Sequence, residues 1–260
     1  MKYKIVFLDI DGTILSHNHT IPESTKKAVK ELKEKGLEVV IATGRSSFET
    51  KHIADELGIT STITFNGSYV NYNGEEVYKQ NLSEEIVSEF IQLANEKGDA
   101  VSCSGLETKY YTKKSHPVVQ EAIDTFEFKG TILADNLEQL DGVFQMNLYC
   151  NTKEELNSYH DTISGLRLAP WNTTLNCADV LSSETSKAEG IKTLLNYLNI
   201  SKEEAVAFGD GLNDIEMLSF VGAGVAMGNS HPKLFAHAKF KTTSVDKDGI
   251  YCGLKGLGIL

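Results

Sequence analysis

Asp9-Ile10-Asp11-Gly12-Thr13 ends an apolar run from Lys4 to Leu8. Two carboxylates two residues apart bend around one point if the chain turns there, and Gly12 permits that turn. Such a pair repels unless a cation or a shared proton relieves it. An Asx-turn with solvated acids would fit the same five residues. Gly209-Asp210-Gly211-Leu212-Asn213-Asp214 follows a second apolar run, Ala205 to Phe208. Its glycines allow close backbone approach, and its side chains add two acids and an amide. The plain alternative is a glycine-rich turn from strand to helix. Together the two loops offer hard oxygen ligands, which suit Mg²⁺ completed by water and a substrate phosphate. Thr43-Gly44-Arg45 ends a third run, where a hydroxyl and an exposed N–H at a helix start suit a phosphate oxygen or simply cap the helix. Lys187 opens a helix after Ser183-Glu184-Thr185-Ser186. Alone it means little; beside carboxylates and phosphate it would supply the fixed positive charge they lack.

These loops need a frame, and the pattern around them supplies one. Residues 4–8, 38–42 and 62–65 read as strands, with helices between them. Thr20 and Glu23 have capping-box spacing, and Pro22 suits a first helical turn. Ala28, Val29 and Leu32 then share a helical face, and Gly36 can end that helix. A second helix spans about 46–57. Asn73-Gly74, between Tyr69–Tyr72 and Glu75–Tyr78, predicts a hairpin. The alternation of strand and helix argues for a parallel sheet with covering helices.

The middle differs. A helix is expected over 83–97, with Ile86, Phe90, Leu93 and Ala94 on one face. Strand-like pieces follow at 100–103, 109–112 and 143–150, then a helix over 153–163 and short strands at 166–169 and 174–177. The last part returns to the first rhythm: helix 187–198, strand 205–208, helix 214–218, strand 224–227. An apolar tail, 255–260, is expected to dock on the core. The simplest organisation is an α/β domain built from 1–82 and 183–260, with an α+β module, 83–182, inserted into it.

Composition narrows the function. The chain has 260 residues and a net charge of −11, so it gains little from counterion release on a phosphate backbone and nucleic acid is not its expected partner. No apolar run approaches the roughly 18 residues of a membrane span. Asp9 interrupts the apolar start too early for a signal peptide. Cys103, Cys150, Cys177 and Cys252 form no C-x-x-C pair; they read as small buried side chains of a reducing cytoplasm rather than disulfides or zinc ligands. His17 and His19 read as surface-loop residues. His116, His160 and Trp171 read as packing or surface groups, and Tyr110 and Tyr111 as strand residues with one face buried.

The DIDGT, ATGR, SK and GDGLND segments, in this order and spacing, resemble the haloacid-dehalogenase-like superfamily of aspartyl-phosphate phosphatases. They look most like its Cof-type branch with a type IIB cap. Ala188 follows Lys187 where many relatives have Gly. The resemblance implies a Rossmann-like parallel-sheet core of α/β class with an inserted cap, 83–182, that closes over the site and sets specificity. It implies Asp9 as nucleophile and Asp11 as general acid and base. It implies Mg²⁺ on the Asp9 and Asp210 carboxylates and the Asp11 carbonyl. Thr43, Lys187, Asn213 and the N–H groups of Ile10 and Gly44 would hold phosphoryl oxygens, and Asp214 would orient Lys187 or a water on the metal. Asn66-Gly67 would line the entrance. The implied activity is Mg²⁺-dependent hydrolysis of small phosphate monoesters such as sugar phosphates. A phosphomutase of the same superfamily would carry the same motifs. A non-catalytic phosphometabolite-binding protein would be expected to lack Asp9, Asp11 or Lys187, and all three are present.

Overall fold

Strand β1, Ile5–Leu8, is buried on both faces, as its unbroken aliphatic and aromatic run dictates for a central parallel strand. The computed structural model describes residues 2–126, 132–160, 162–171 and 173–260. They form two compact units. The first comprises Met1–Gly44, Ile53–Lys79 and Ser186–Leu260; the second comprises Arg45–His52 and Gln80–Thr185. No helix among the described residues is long and apolar enough to cross a membrane.

The first unit is built on one sheet. Its strands are β1, β2 (Glu38–Ala42), β3 (Ser61–Thr64), β4 (Tyr69–Tyr72), β5 (Glu75–Lys79), β12 (Ala205–Gly209), β13 (Ala223–Ala226) and β14 (Phe240–Lys241). The order is β14-β13-β12-β1-β2-β3-β4-β5, parallel from β14 to β3, with β4 and β5 antiparallel. Alternate strand residues feed two cores. Val6, Leu8, Val39 and Ile41 meet α1 (Glu23–Glu34), α2 (Ser47–Leu57) and α8 (Gly249–Gly256). Ile5, Phe7, Val40 and Ala42 meet α6 (Lys187–Tyr197) and α7 (Ile215–Phe220). Leu8 stands level with Ile41 on one side and Phe208 on the other. The carboxyl ends of β12, β1 and β2 therefore open side by side. β2 to β5 lie to one side of β1 and β12 to β14 to the other, which makes this the switch point where open α/β sheets bind ligands.

The second unit has its own sheet, in the order β10-β11-β9-β6-β7-β8. These strands are β6 (Ala100–Ser104), β7 (Thr108–Tyr111), β8 (Ile132–Leu133), β9 (Gln145–Tyr149), β10 (Leu166–Pro170) and β11 (Cys177–Ser182). One face packs Val101, Cys103, Met146, Leu148 and Val180 on α3 (Glu84–Lys97) and α5 (Lys153–Asn157). The other face packs Ala100, Tyr111, Tyr149 and Cys177 against α4 (Pro117–Phe126). Beyond α4 it carries buried polar residues: Ser102, Ser104, Lys109, Gln145, Asn147 and Asp179.

Several elements depart from the sequence reading. The Thr20–Glu23 capping box does not form: Pro22 precedes α1 without a side-chain cap, the Thr20 hydroxyl is shared with Ser16, and Glu23 pairs with Lys26. On α3, Val87 rather than Ile86 joins Phe90 and Ala94 in the core. The helix expected over 153–163 stops at Asn157, because Tyr159 turns inward to donate to Asp99 Oδ2 at 2.6 Å; Asp161 lies outside the described residues. The strand expected at 174–177 starts only at Cys177, after a turn in which Thr173 Oγ1 accepts from the Leu175 N–H. Helices α4 and α8 were not expected. The tail after α8 does reach the core, through Ile259.

Candidate active site

The turn after β1 is closed by its own backbone: the N–H groups of Thr13, Ile14 and Leu15 all donate to Ile10 O. Gly12 takes φ +78, and a Cβ there would overlap the Asp210 carboxylate. Only glycine fits that position. The β1 loop is thus pressed against the β12 loop, and Thr13 Oγ1 donates to Asp210 Oδ1 at 2.9 Å. Asp9 directly follows β1, 6% exposed, and Ile10 is fully buried.

Lys187 stands at the first turn of α6, whose N-terminus is capped by Ser186. Its Nζ donates to Asp9 Oδ1 at 2.6 Å and to Asp214 Oδ1 at 2.7 Å. Asp214 in turn accepts, on Oδ2, the N–H groups of Asp210 and Gly211, each at 2.9 Å. Asp214 therefore does two jobs with one carboxylate: it folds the β12 loop around itself and fixes the lysine. Among the described residues Asp9 Oδ2 takes no hydrogen bond.

Electrostatics set the character of this cluster. Three buried carboxyls, Asp9, Asp210 and Asp214, face one buried ammonium. Burial, then the Asp214 charge, push Asp9 well above the usual carboxylate range, and Lys187 only partly opposes this. Burial and Asp214 likewise raise Asp210, to about 7. Burial would strip the Lys187 proton, but Asp214 and Asp9 reverse that and hold the ammonium charged beyond the ordinary lysine range. The cluster is short of positive charge. Carboxylate oxygens of Asp9, Asp210 and Asp214 lie within 4.8 Å of one another. All are hard donors, and those of Asp214 already hold the Lys187 ammonium and two backbone N–H groups. The chemistry of this donor set fits a Mg²⁺ held chiefly by Asp9 and Asp210.

Thr43, 1% exposed, lies one residue past the end of β2; its N–H donates to Ile63 O and its carbonyl accepts from Asn66 N. Asn66 is buried with a left-handed backbone and accepts from Asn213 Nδ2 at 3.1 Å. Asp11 is exposed, and its charge contributes to raising Asp9. His17 is exposed and paired with Asp246, and His160 is exposed. His116 is buried. Trp171 Nε1 donates to Asp179 Oδ1 at 2.6 Å. Sequence reading missed Asn229, whose Nδ2 donates to Gly12 O at 2.8 Å and Asp210 Oδ2 at 3.3 Å. Its one signal was a Met-Gly-Asn turn after the apolar run 223–226.

Residues 6–254 match the haloacid dehalogenase-like hydrolase family. The chain is 40% identical to YkrA of Bacillus subtilis (strain 168) over the full length of both. It is 30% identical to the HMP-PP phosphatase of Klebsiella pneumoniae (strain 342), over 90% of this chain and 87% of that one. Among solved structures, the HAD subclass IIB sugar phosphatase BT4131 superposes with a TM-score of 0.87 at 30% identity, over 99% of this chain and all of the other. The chain therefore belongs to the haloacid dehalogenase-like hydrolases, in the Cof-type, subclass IIB branch of their phosphatases.

Proposed function

We propose that this protein is a Mg²⁺-dependent phosphatase that hydrolyses small phosphate monoesters through a phosphoryl group carried on Asp9. The observation that carries this reading is the Lys187 ammonium clamped between Asp9 and Asp214, with Asp210 at the next strand end. One Asp9 carboxylate oxygen attacks phosphorus; the new P–O bond forms as the ester P–O bond breaks, and Asp11 gives its proton to the departing alkoxide. Water then attacks the same phosphorus and gives a proton to Asp11. The bond to Asp9 breaks and inorganic phosphate leaves. Lys187 orients Asp9 and balances charge on the phosphoryl oxygens, which Thr43, Asn213 and the N–H groups of Ile10 and Gly44 also hold. Asn66 steadies Asn213, and Asp214 steadies Lys187. The Asp9 and Asp210 carboxylates and the Asp11 carbonyl would hold Mg²⁺. Bound there, it would offset the repulsion between an anionic nucleophile and an anionic phosphate.

The choice of leaving group we assign to the inserted residues 83–182. The similarity to a sugar phosphatase and to HMP-PP phosphatase supports a small metabolite as substrate. Four free cysteines suit the reducing cytoplasm. The test is turnover of para-nitrophenyl phosphate with and without Mg²⁺, beside Asp9→Asn. Hydrolysis should require Mg²⁺ and fall to background in the variant. Full activity in Asp9→Asn would overturn the mechanism.

A further inference from the structure

The Asn229 side chain, on the segment between β13 and β14, makes three hydrogen bonds to three separate stretches of the first unit. Its Nδ2 donates to Gly12 O at 2.8 Å and to Asp210 Oδ2 at 3.3 Å. Its Oδ1 accepts from the Val245 N–H at 2.9 Å. Gly12 belongs to the turn after β1, Asp210 to the turn after β12, and Val245 to the approach to α8. One amide therefore spans residues that lie more than 200 positions apart in the chain.

The bonds to Asp210 are divided between its two oxygens. Thr13 Oγ1 takes Oδ1 and Asn229 Nδ2 takes Oδ2. A carboxylate gripped at both oxygens cannot rotate about its Cβ–Cγ bond without losing one donor. The second bond from Nδ2 fixes the Gly12 peptide, one residue after Asp11. An amide suits this task. It is neutral at every pH, so it orients the carboxylate without competing for the charge a cation would use. A lysine in its place would occupy the cation's role, and an alanine would leave both loops to find their own separation.

We infer that Asn229 is a positioning residue for the divalent cation: it sets the orientation of the Asp210 carboxylate and the distance between the two acidic loops. This rests on the Mg²⁺ reading above, not on the identity of the ester. Hydrogen-bond partners behind a ligand typically govern affinity by about 10–100-fold.

The experiment is a calorimetric titration of Mg²⁺ into metal-free full-length protein, wild type beside Asn229→Ala, with melting curves of both with and without Mg²⁺. Asn229→Ala should bind Mg²⁺ at least tenfold more weakly, lose most of the Mg²⁺-induced rise in Tm, and require correspondingly more Mg²⁺ for half-maximal turnover, with kcat at saturating Mg²⁺ much less affected than Mg²⁺ affinity. Should Asn229→Ala fail to fold, Asn229→Ser, which cannot reach all three partners, carries the same comparison. A folded variant whose Mg²⁺ dissociation constant stays within twofold of wild type overturns the inference, even if its metal-free Tm falls, because that result marks a purely structural residue. A wild type that binds no Mg²⁺ overturns it as well, together with the cation reading. A wild type that binds Mg²⁺ yet hydrolyses no ester overturns the proposed function alone.

Discussion

Lys187 carries a full charge with no side-chain surface exposed to water. Only its two carboxylate partners make that tolerable. Breaking a buried pair from one side strands the remaining charges, whose desolvation is no longer compensated. Lys187→Met, which keeps the bulk and removes the ammonium, should therefore lose about 3–5 kcal/mol of stability and essentially all turnover. Urea unfolding and para-nitrophenyl phosphate hydrolysis measure the two effects. A variant as stable as wild type would mean that the buried carboxylates tolerate the loss of the ammonium at little cost. The acidic loops were legible in sequence because each is a local event, an apolar strand that ends abruptly in acids and glycine. Asn229 was not, because its meaning lies in three partners, none of them near it in sequence.

At the scale of elements, the segment that begins α2 is fastened by a second buried ion pair. Glu49 and Lys109 are 5% and 3% exposed, and Lys109 Nζ donates to Glu49 Oε1 at 3.0 Å. The Ser46 N–H and hydroxyl both donate to Glu49 Oε2, at 3.0 and 2.6 Å. Burial by itself would raise Glu49, but the Lys109 charge and the Ser46 bonds together hold it below its ordinary 4.5. A lowered folded value means that the unfolded chain binds the proton more readily. The stabilisation is therefore present above pH 4.5 and is lost as the pH falls through the lower folded value. Glu49→Gln should flatten the fall in stability on acidification below that point, read by urea titrations at pH 7 and at successively lower pH. Lys109→Met should be more damaging than the double variant Lys109→Met with Glu49→Gln, since the double does not strand the Glu49 charge. Equal losses in the single and double variants would rule out a coupled pair. Nothing in the sequence joins residue 49 to residue 109. The same limit hid α8, where Gly249, Gly253 and Gly256 argue against a helix on propensity alone. The helix forms because Ile250 and Leu254 reach the core, and because Gly253 lets it lie against the Phe208 ring. By contrast β1, the Asn73-Gly74 hairpin and the Ser83-capped α3 were readable, since each is specified within a few residues.

Over the whole molecule, the sequence rhythm of strands and helices was enough to predict a parallel sheet contributed by both halves of the chain. It did not show that residues 45–52 group with 80–185. The four cysteines give a whole-molecule probe of packing. Cys103, Cys150 and Cys177 are buried and Cys252 is exposed; burial pushes the Cys103 and Cys177 thiols up to about 12. A thiol reagent at neutral pH should label one cysteine rapidly in the native protein and all four in denaturant. Rapid labelling of a second site in native buffer would reveal local opening of the second unit. The sheet order has a consequence for synthesis. β1 lies between β2 and β12, so the strand that leads into Asp9 lacks one neighbour until residues 205–209 have been made. During translation, β1 must wait with one edge uncovered while the residues up to 185 emerge and can condense among themselves. Such non-local pairing is slow and exposes strand edges. A nascent chain stalled before residue 205 should therefore be the species most in need of a chaperone.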